Sequence, residues 1–277
     1  MADGQEVTFQ GENRSLDGYL ALPKPATERR GAIVVIHEIF GPDAHIRGVA
    51  QRFAAEGYVA LAPNLFTGEL QQVLTPTNIG LAMKAFAEAP SDLRSNPERF
   101  RQFAASQPAD RRPILEAFVR VSSPPVQAGF ARDLLGATTF LRERPEVDPT
   151  RVGCVGFCFG GAMSALLATE DPLLRAAIIF YGQHPPLDRV AGVHAAVLGL
   201  YGGEDPGITG TIPGFAEAMR AAGKNFEYHV YPGARHAFFN DTRPMYDAGS
   251  AADAWTRVLA FYAEHLGGAA PTPGRAA

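Results

Sequence analysis

The chain has 277 residues, 46% hydrophobic and 19% charged, with 25 Lys and Arg against 29 Asp and Glu for a net charge of −4. That balance excludes a disordered or collagen-like chain and offers no basic stripe of the kind that binds nucleic acid. No apolar run approaches the roughly 20 residues of a membrane span, and the start MADGQEVTFQGENRSLDG lacks the positive and apolar regions of a signal peptide.

Short apolar strands alternate with amphipathic helices along residues 1–266, expected to form one domain. Val7–Gln10 and Asp17–Leu22 flank a polar turn and read as a hairpin. Ala32–His37 is a continuous β-branched run, the mark of a strand covered on both faces. Asp43 caps a helix running to about Glu56, with Ile46, Val49, Ala50 and Phe53 on one face and Gly57 as its stop. Tyr58–Ala62 is the next strand.

The rhythm breaks over Thr67–Val126, where seven prolines separate short helical patterns at Asn78–Glu88, Pro97–Phe103 and Ile114–Val119. A stretch this long without a strand reads as a helical insertion, either a lid or a packed decoration. Strands then come at Val152–Gly156, Ala176–Tyr181, Ala195–Tyr201 and Phe226–Tyr231. Helices lie between and after them at Gly160–Ala168, Pro213–Ala222 and Ser250–Leu266. The alternation predicts an α/β fold: a mostly parallel sheet of about eight strands with helices on both faces. The Pro- and Gly-rich residues 267–277 are expected to be a disordered tail.

Cysteine occurs twice, as Cys154 and Cys158. Four residues apart in extended chain they stand about 13 Å from one another, too far for a bridge. A reducing cytoplasmic location fits them.

The most informative segment is RVGCVGFCFGG, Arg151–Gly161. A strand runs into Gly156-Phe157-Cys158-Phe159-Gly160 and a helix comes after it, the form of a nucleophile elbow with Cys in place of Ser. Crowding at such a bend demands glycine two residues before and two after the nucleophile. The helix N-terminus favours a thiolate, and the Phe159 amide becomes an oxyanion donor. A cysteine nucleophile needs a histidine base, and the histidine needs an orienting carboxylate. The order nucleophile, acid, histidine is met by Cys158, by Asp205 after Ala195–Tyr201, and by His236 after Phe226–Tyr231. Both partners come after the C-terminal ends of strands, where such sheets hold their sites. Glu204 is the alternative acid; Asp205 is preferred because the adjoining Pro206 suits a projecting loop. The remaining histidines, His45, His184, His194, His229 and His265, have poorer placements.

The motifs HEIFG (His37–Gly41), LAPNLF (Leu61–Phe66), GFCFGG (Gly156–Gly161), GGEDPGI (Gly202–Ile208) and YPGARHAF (Tyr231–Phe238) occur in this order. Together they resemble the dienelactone hydrolase family of α/β-hydrolases, from about Glu6 to Leu266, with Thr67–Val126 the least similar part. The resemblance implies Cys158 as nucleophile, Asp205 as orienting acid and His236 as base. It also implies that Glu38 contacts the thiol and helps to generate the thiolate, and that Ile39 supplies the second oxyanion amide. The implied activity is hydrolysis of a lactone or carboxylic ester, a small-molecule substrate, through a cysteine acyl-enzyme. No cofactor or metal is implied, and HEIFG lacks the second histidine of a zinc-binding H-E-x-x-H. One departure concerns the arginine that holds the substrate carboxylate four residues after the family's histidine. That position is Asn240, with Arg243, Lys84 and Arg94 as other cations. Phe40, Phe66, Phe159, Phe238 and Phe239 are candidates to line an apolar pocket. The rival reading is a ligand-binding or redox-sensing homologue without turnover, in which the thiol simply oxidises.

Overall fold

Eight strands form one sheet in the computed structural model, which describes residues 3–24, 28–90, 93 and 96–267. They are β1 (Asp3–Gln10), β2 (Ser15–Leu22), β3 (Arg30–Ile36), β4 (Val59–Pro63), β5 (Val147–Phe157), β6 (Ala176–Phe180), β7 (Ala196–Gly202) and β8 (Phe226–Tyr231). Their order across the sheet is β1-β2-β4-β3-β5-β6-β7-β8. The hairpin β1–β2 and the β2–β4 pair are antiparallel, and every later pair is parallel. The strand pattern read from the sequence is thus the observed one, and β8 has the bounds the sequence indicated.

Alternation along the strands explains why both faces are covered. In β3, Ala32, Val34 and Ile36 enter one apolar cluster while Ile33 and Val35 enter the other. The second cluster is closed by α1 (Ala44–Ala55) and by a long C-terminal helix, Ala248–Leu266. Asp43 caps α1 by accepting from the Ile46 amide at 3.1 Å, and Gly57 leaves it with φ +95°. The first cluster is closed by Pro124–Arg142, Phe159–Glu170 and Ile212–Ala221.

The stretch between β4 and the core helix Pro124–Arg142 holds α2 (Glu69–Val73), α3 (Pro76–Glu88), α4 (Pro97–Ala105) and α5 (Arg112–Val121). Ala82, Ala104 and Leu115 make a small core of their own, and Val121 reaches the main one. The sequence reading names no helix between Val126 and Val152. Ser123 precedes a new helix, α6, which starts at Pro124 and packs Phe130, Leu134, Ala137 and Leu141 against the sheet. Its apolar residues recur at three- and four-residue spacing, and Pro124 and Pro125 open the helix rather than break it. The remaining helices are α7 (Phe159–Glu170), α8 (Pro206–Thr209), α9 (Ile212–Ala221) and α10 (Ala248–Leu266). No described helix is long and apolar enough to cross a membrane. Of the tail expected over 267–277, all but Gly267 lies outside the described residues, as does Arg94.

The sheet meets α7 so closely that a methyl group at Gly160 would press into the main-chain carbonyls of Ile36 and His37. Gly48, within α1, has nothing within 4 Å of the same position. Gly160→Ala is therefore expected to cost about 3 kcal/mol or more. At about 2–4 °C per kcal/mol for a chain of this size, calorimetry should read a Tm lower by about 6–12 °C. Gly48→Ala should instead stabilise by about 0.5–1 kcal/mol.

Candidate active site

β5 delivers Cys158 to the C-terminal rim of the sheet and turns there into α7. Cys158 has φ +54°, a left-handed backbone that a cysteine adopts only when its surroundings enforce it. Its amide donates to the Phe180 carbonyl at 3.0 Å, and its carbonyl accepts from the Ala162 amide at 3.2 Å. A side chain at Gly156 would collide with the Gly160 carbonyl, and a Cβ on Gly161 would stand 2.7 Å from the Phe180 carbonyl. The glycines of GFCFGG are thus explained by steric contact. The Phe159 amide lies in the first turn of α7, before the first intrahelical bond, and so has no partner within the helix.

Asp205 and His236 reach the same rim from β7 and β8. Three residues after β7, Asp205 stands at the head of α8. The two loops are knitted together, with Gly203 N donating to Tyr231 O at 2.8 Å and Glu204 N to Ala234 O at 2.9 Å. His236 Nδ1–H donates to Asp205 Oδ2 at 2.5 Å. Glu204 is exposed, and His236 engages Asp205 instead. Burial disfavours the charged imidazole, but hydrogen bonds to Asp205 and Cys158, with their charges, override it and push His236 up to about 10. The structure therefore joins His236 to Asp205 and sets its ring in electrostatic reach of Cys158.

Glu38 lies two residues beyond β3 and is buried. Its Oε2 accepts from Asn240 Nδ2 at 2.7 Å and its Oε1 from the Tyr181 hydroxyl at 3.3 Å. No hydrogen bond joins Glu38 to Cys158 among the described residues. Burial pushes the Glu38 carboxyl above the usual carboxylate range, and the Asn240 hydrogen bond draws it partly back. His37 fixes the turn that carries Glu38 and Ile39. Its Nδ1–H donates to the Glu38 carbonyl at 2.5 Å, and its Nε2 accepts from the Leu65 amide at 3.2 Å. Burial holds this histidine neutral, its pKa lowered to about 4.

The sequence reading missed Tyr181. It is fully buried, has φ +38°, and sets its ring 5.2 Å from that of His236. Its place at the end of β6, the strand beside the Cys158 strand, was the available signal. Asn240 was read as a lost cation; it is a buried partner of Glu38. Phe66 and Phe159 pack with Phe130 on one side of the sheet, whereas Phe238 and Phe239 belong to the opposite core. Phe40 is half-buried under Arg243, whose guanidinium lies 3.8 Å from its ring centroid. Lys84 pairs with Glu88 on α3. Cys154 is buried against Ser164 Oγ at 3.2 Å, and burial pushes its thiol up to about 12. Among the described residues no three His, Cys, Asp or Glu side chains converge as metal ligands.

The profile of the dienelactone hydrolase family matches residues 16–266. A protein of Saccharolobus solfataricus, provisionally named a carboxymethylenebutenolidase, is 33% identical over 93% of this chain and 97% of its own. A Methylorubrum extorquens protein with the same provisional name is 34% identical over 94% of this chain and 80% of its own. A crystal structure from Klebsiella pneumoniae, provisionally named a dienelactone hydrolase, superposes with a TM-score of 0.72 at 29% identity, covering 96% of this chain and all of that one.

A raised histidine pKa stabilises the fold fully below its unfolded value near 6.5 and ceases to do so as pH rises through about 10. The denaturation gap between the native chain and His236→Gln should accordingly be wider at pH 6 than at pH 10.5. Asp205→Asn should lower the His236 titration midpoint by one unit or more in imidazole NMR, since it removes the charge that favours the imidazolium.

Proposed function

The chain belongs to the dienelactone hydrolase family and is a hydrolase, and on that premise we propose that it cleaves a lactone or carboxylic ester through a thioester on Cys158. The observation that carries this reading is His236, hydrogen-bonded to Asp205 at 2.5 Å and in electrostatic reach of Cys158, with the three residues gathered from three strands at one rim. An inert buried thiol such as Cys154 has no such partners.

In the proposed reaction the Cys158 thiolate attacks the carbonyl carbon, and the negative charge moves to the carbonyl oxygen. The amides of Phe159 and Ile39 donate to that oxygen, each worth about 3–4 kcal/mol where such donors have been removed from other enzymes. The tetrahedral adduct collapses, the carbon–oxygen bond to the leaving group breaks, and the imidazolium of His236 gives that oxygen a proton. Neutral His236 then takes a proton from water, and the hydroxide attacks the thioester carbon. The carbon–sulfur bond breaks, the acid departs and the thiolate is restored. Asp205 accepts from Nδ1–H throughout, which holds the ring in one tautomer and stabilises its charged form. Glu38, buried and raised, is the acceptor for the proton of Cys158 when the thiol is the resting form.

With p-nitrophenyl acetate, mass spectrometry of a quenched reaction should find one acetyl group on Cys158. Cys158→Ala should fold as the native chain does and lose at least about 10³-fold in turnover. Undiminished hydrolysis by a pure preparation of that variant would falsify the proposal, and a native chain that binds esters without turnover would leave the rival reading of a non-catalytic homologue.

A further inference from the structure

The segment after His236 is wound into consecutive tight turns. Asn240 N donates to Ala237 O at 3.1 Å and Arg243 N to Asn240 O at 3.0 Å. Ala237 itself has φ +63°. Neighbouring side chains on this segment grip the turn between β3 and α1 and the first turn of α1. Asn240 holds Glu38. Asp241 Oδ1 accepts from His45 Nδ1 at 2.8 Å. Arg243 covers Phe40 and stands 3.8 Å from Asp43, the cap of α1.

The orientation of Asn240 is set from behind. Its Oδ1 accepts from Thr242 N at 3.0 Å and Thr242 Oγ1 at 2.7 Å, which leaves Nδ2 to face Glu38. His45 is anchored as well. Its side chain is only 3% exposed and lies edge-on to Phe157 and Phe239, each at 6.1 Å. Asp241 is different, with a side chain 62% exposed. An exposed carboxylate tied to a buried ring contributes little to stability by ion pairing alone. It ties the loop of His236 to the first turn of α1, which begins six residues after Glu38.

We propose that Asn240, holding the β3–α1 turn, and Asp241, holding the first turn of α1, form a two-point clasp across this junction, which makes Asp241 and its partner His45 positioning residues for Glu38 and the Ile39 amide. The clasp rests on the proposed thioester reaction, because it acts on groups that serve that reaction. Neither Asp241 nor His45 touches the reacting atoms. Their effect is on where the oxyanion donor and the Glu38 carboxyl stand relative to Cys158, and small misplacements of such groups slow chemistry more than they weaken binding.

The test uses the full chain and p-nitrophenyl acetate, after wild type and Cys158→Ala have established that turnover depends on the thiol. Failure at that first step removes the proposed reaction; failure of the Asp241 and His45 variants to behave as expected removes only the clasp. Asp241→Ala is expected to lower kcat about tenfold with KM within about twofold. Asp241→Asn should restore kcat to within about threefold of wild type, because a carboxamide oxygen still accepts from His45 Nδ1–H. His45→Phe should reproduce the Asp241→Ala loss, and the double variant should lose no more than either single one. Should His45→Phe fail to fold, the exposed Asp241 pair decides alone. Wild-type kcat in Asp241→Ala, with or without a lower Tm, overturns the clasp. So does an Asp241→Asn variant no faster than Asp241→Ala.

Discussion

A left-handed backbone at one cysteine is the constraint on which the rest of the site depends. Holding Cys158 at φ +54° costs about 1–3 kcal/mol, and the surrounding main chain offsets that cost. Phe180 and Ala162 hold its amide and carbonyl, and glycines 156, 160 and 161 let β5, α7 and the neighbouring strands approach without side chains between them. Because β5 lies between β3 and β6, the pairings Ile36–Gly156 and Phe157–Phe180 bring the ends of three strands level. Glu38, Cys158 and Tyr181 therefore emerge side by side as a consequence of register.

The two cysteines show how position decides chemistry. Cys154 and Cys158 belong to one strand and its exit, four residues apart. Cys154 is enclosed by the core and Ser164, and burial makes its ionisation unfavourable. Cys158 stands at the rim, where a helix begins and the His236 imidazole is in electrostatic reach of it. The same imidazole is drawn toward its charged form by Asp205. His37, also near the rim, is buried without an acid partner and stays neutral. Charge enters this site only where a partner of opposite sign accompanies it.

Much of this was legible in the sequence, for physical reasons that can be named. β3 from Gly31 and β5 from Val152 are unbroken runs of apolar residues and glycine, and α1 begins at a capping aspartate and ends at a glycine, so local chemistry marks them. Cys158, Asp205 and His236 could be picked out because each comes after a strand in the order such sheets use. Helix α6 was overlooked because Pro124 and Pro125 were counted with the breakers of the preceding stretch. Tyr181 and Asn240 were illegible for a different reason. Nothing local marks a tyrosine after a strand, or an asparagine in a loop, as partners of a glutamate 143 or 202 residues distant. Such contacts exist only once the sheet has formed.

Asn240 shows how a neutral partner leaves burial to set the proton affinity of a carboxyl. An arginine there would place a cation against Glu38 and hold its carboxyl ionised. Asparagine supplies a neutral donor, Tyr181 supplies another, and Arg243 is directed toward Phe40 and Asp43. The proton affinity of Glu38 is then set first by burial, and it rises. In the proposed reaction this matters, because proton transfer is most effective when donor and acceptor affinities lie close together. A carboxyl of ordinary acidity is a poor acceptor for a thiol proton, whereas one lifted by burial is a better match.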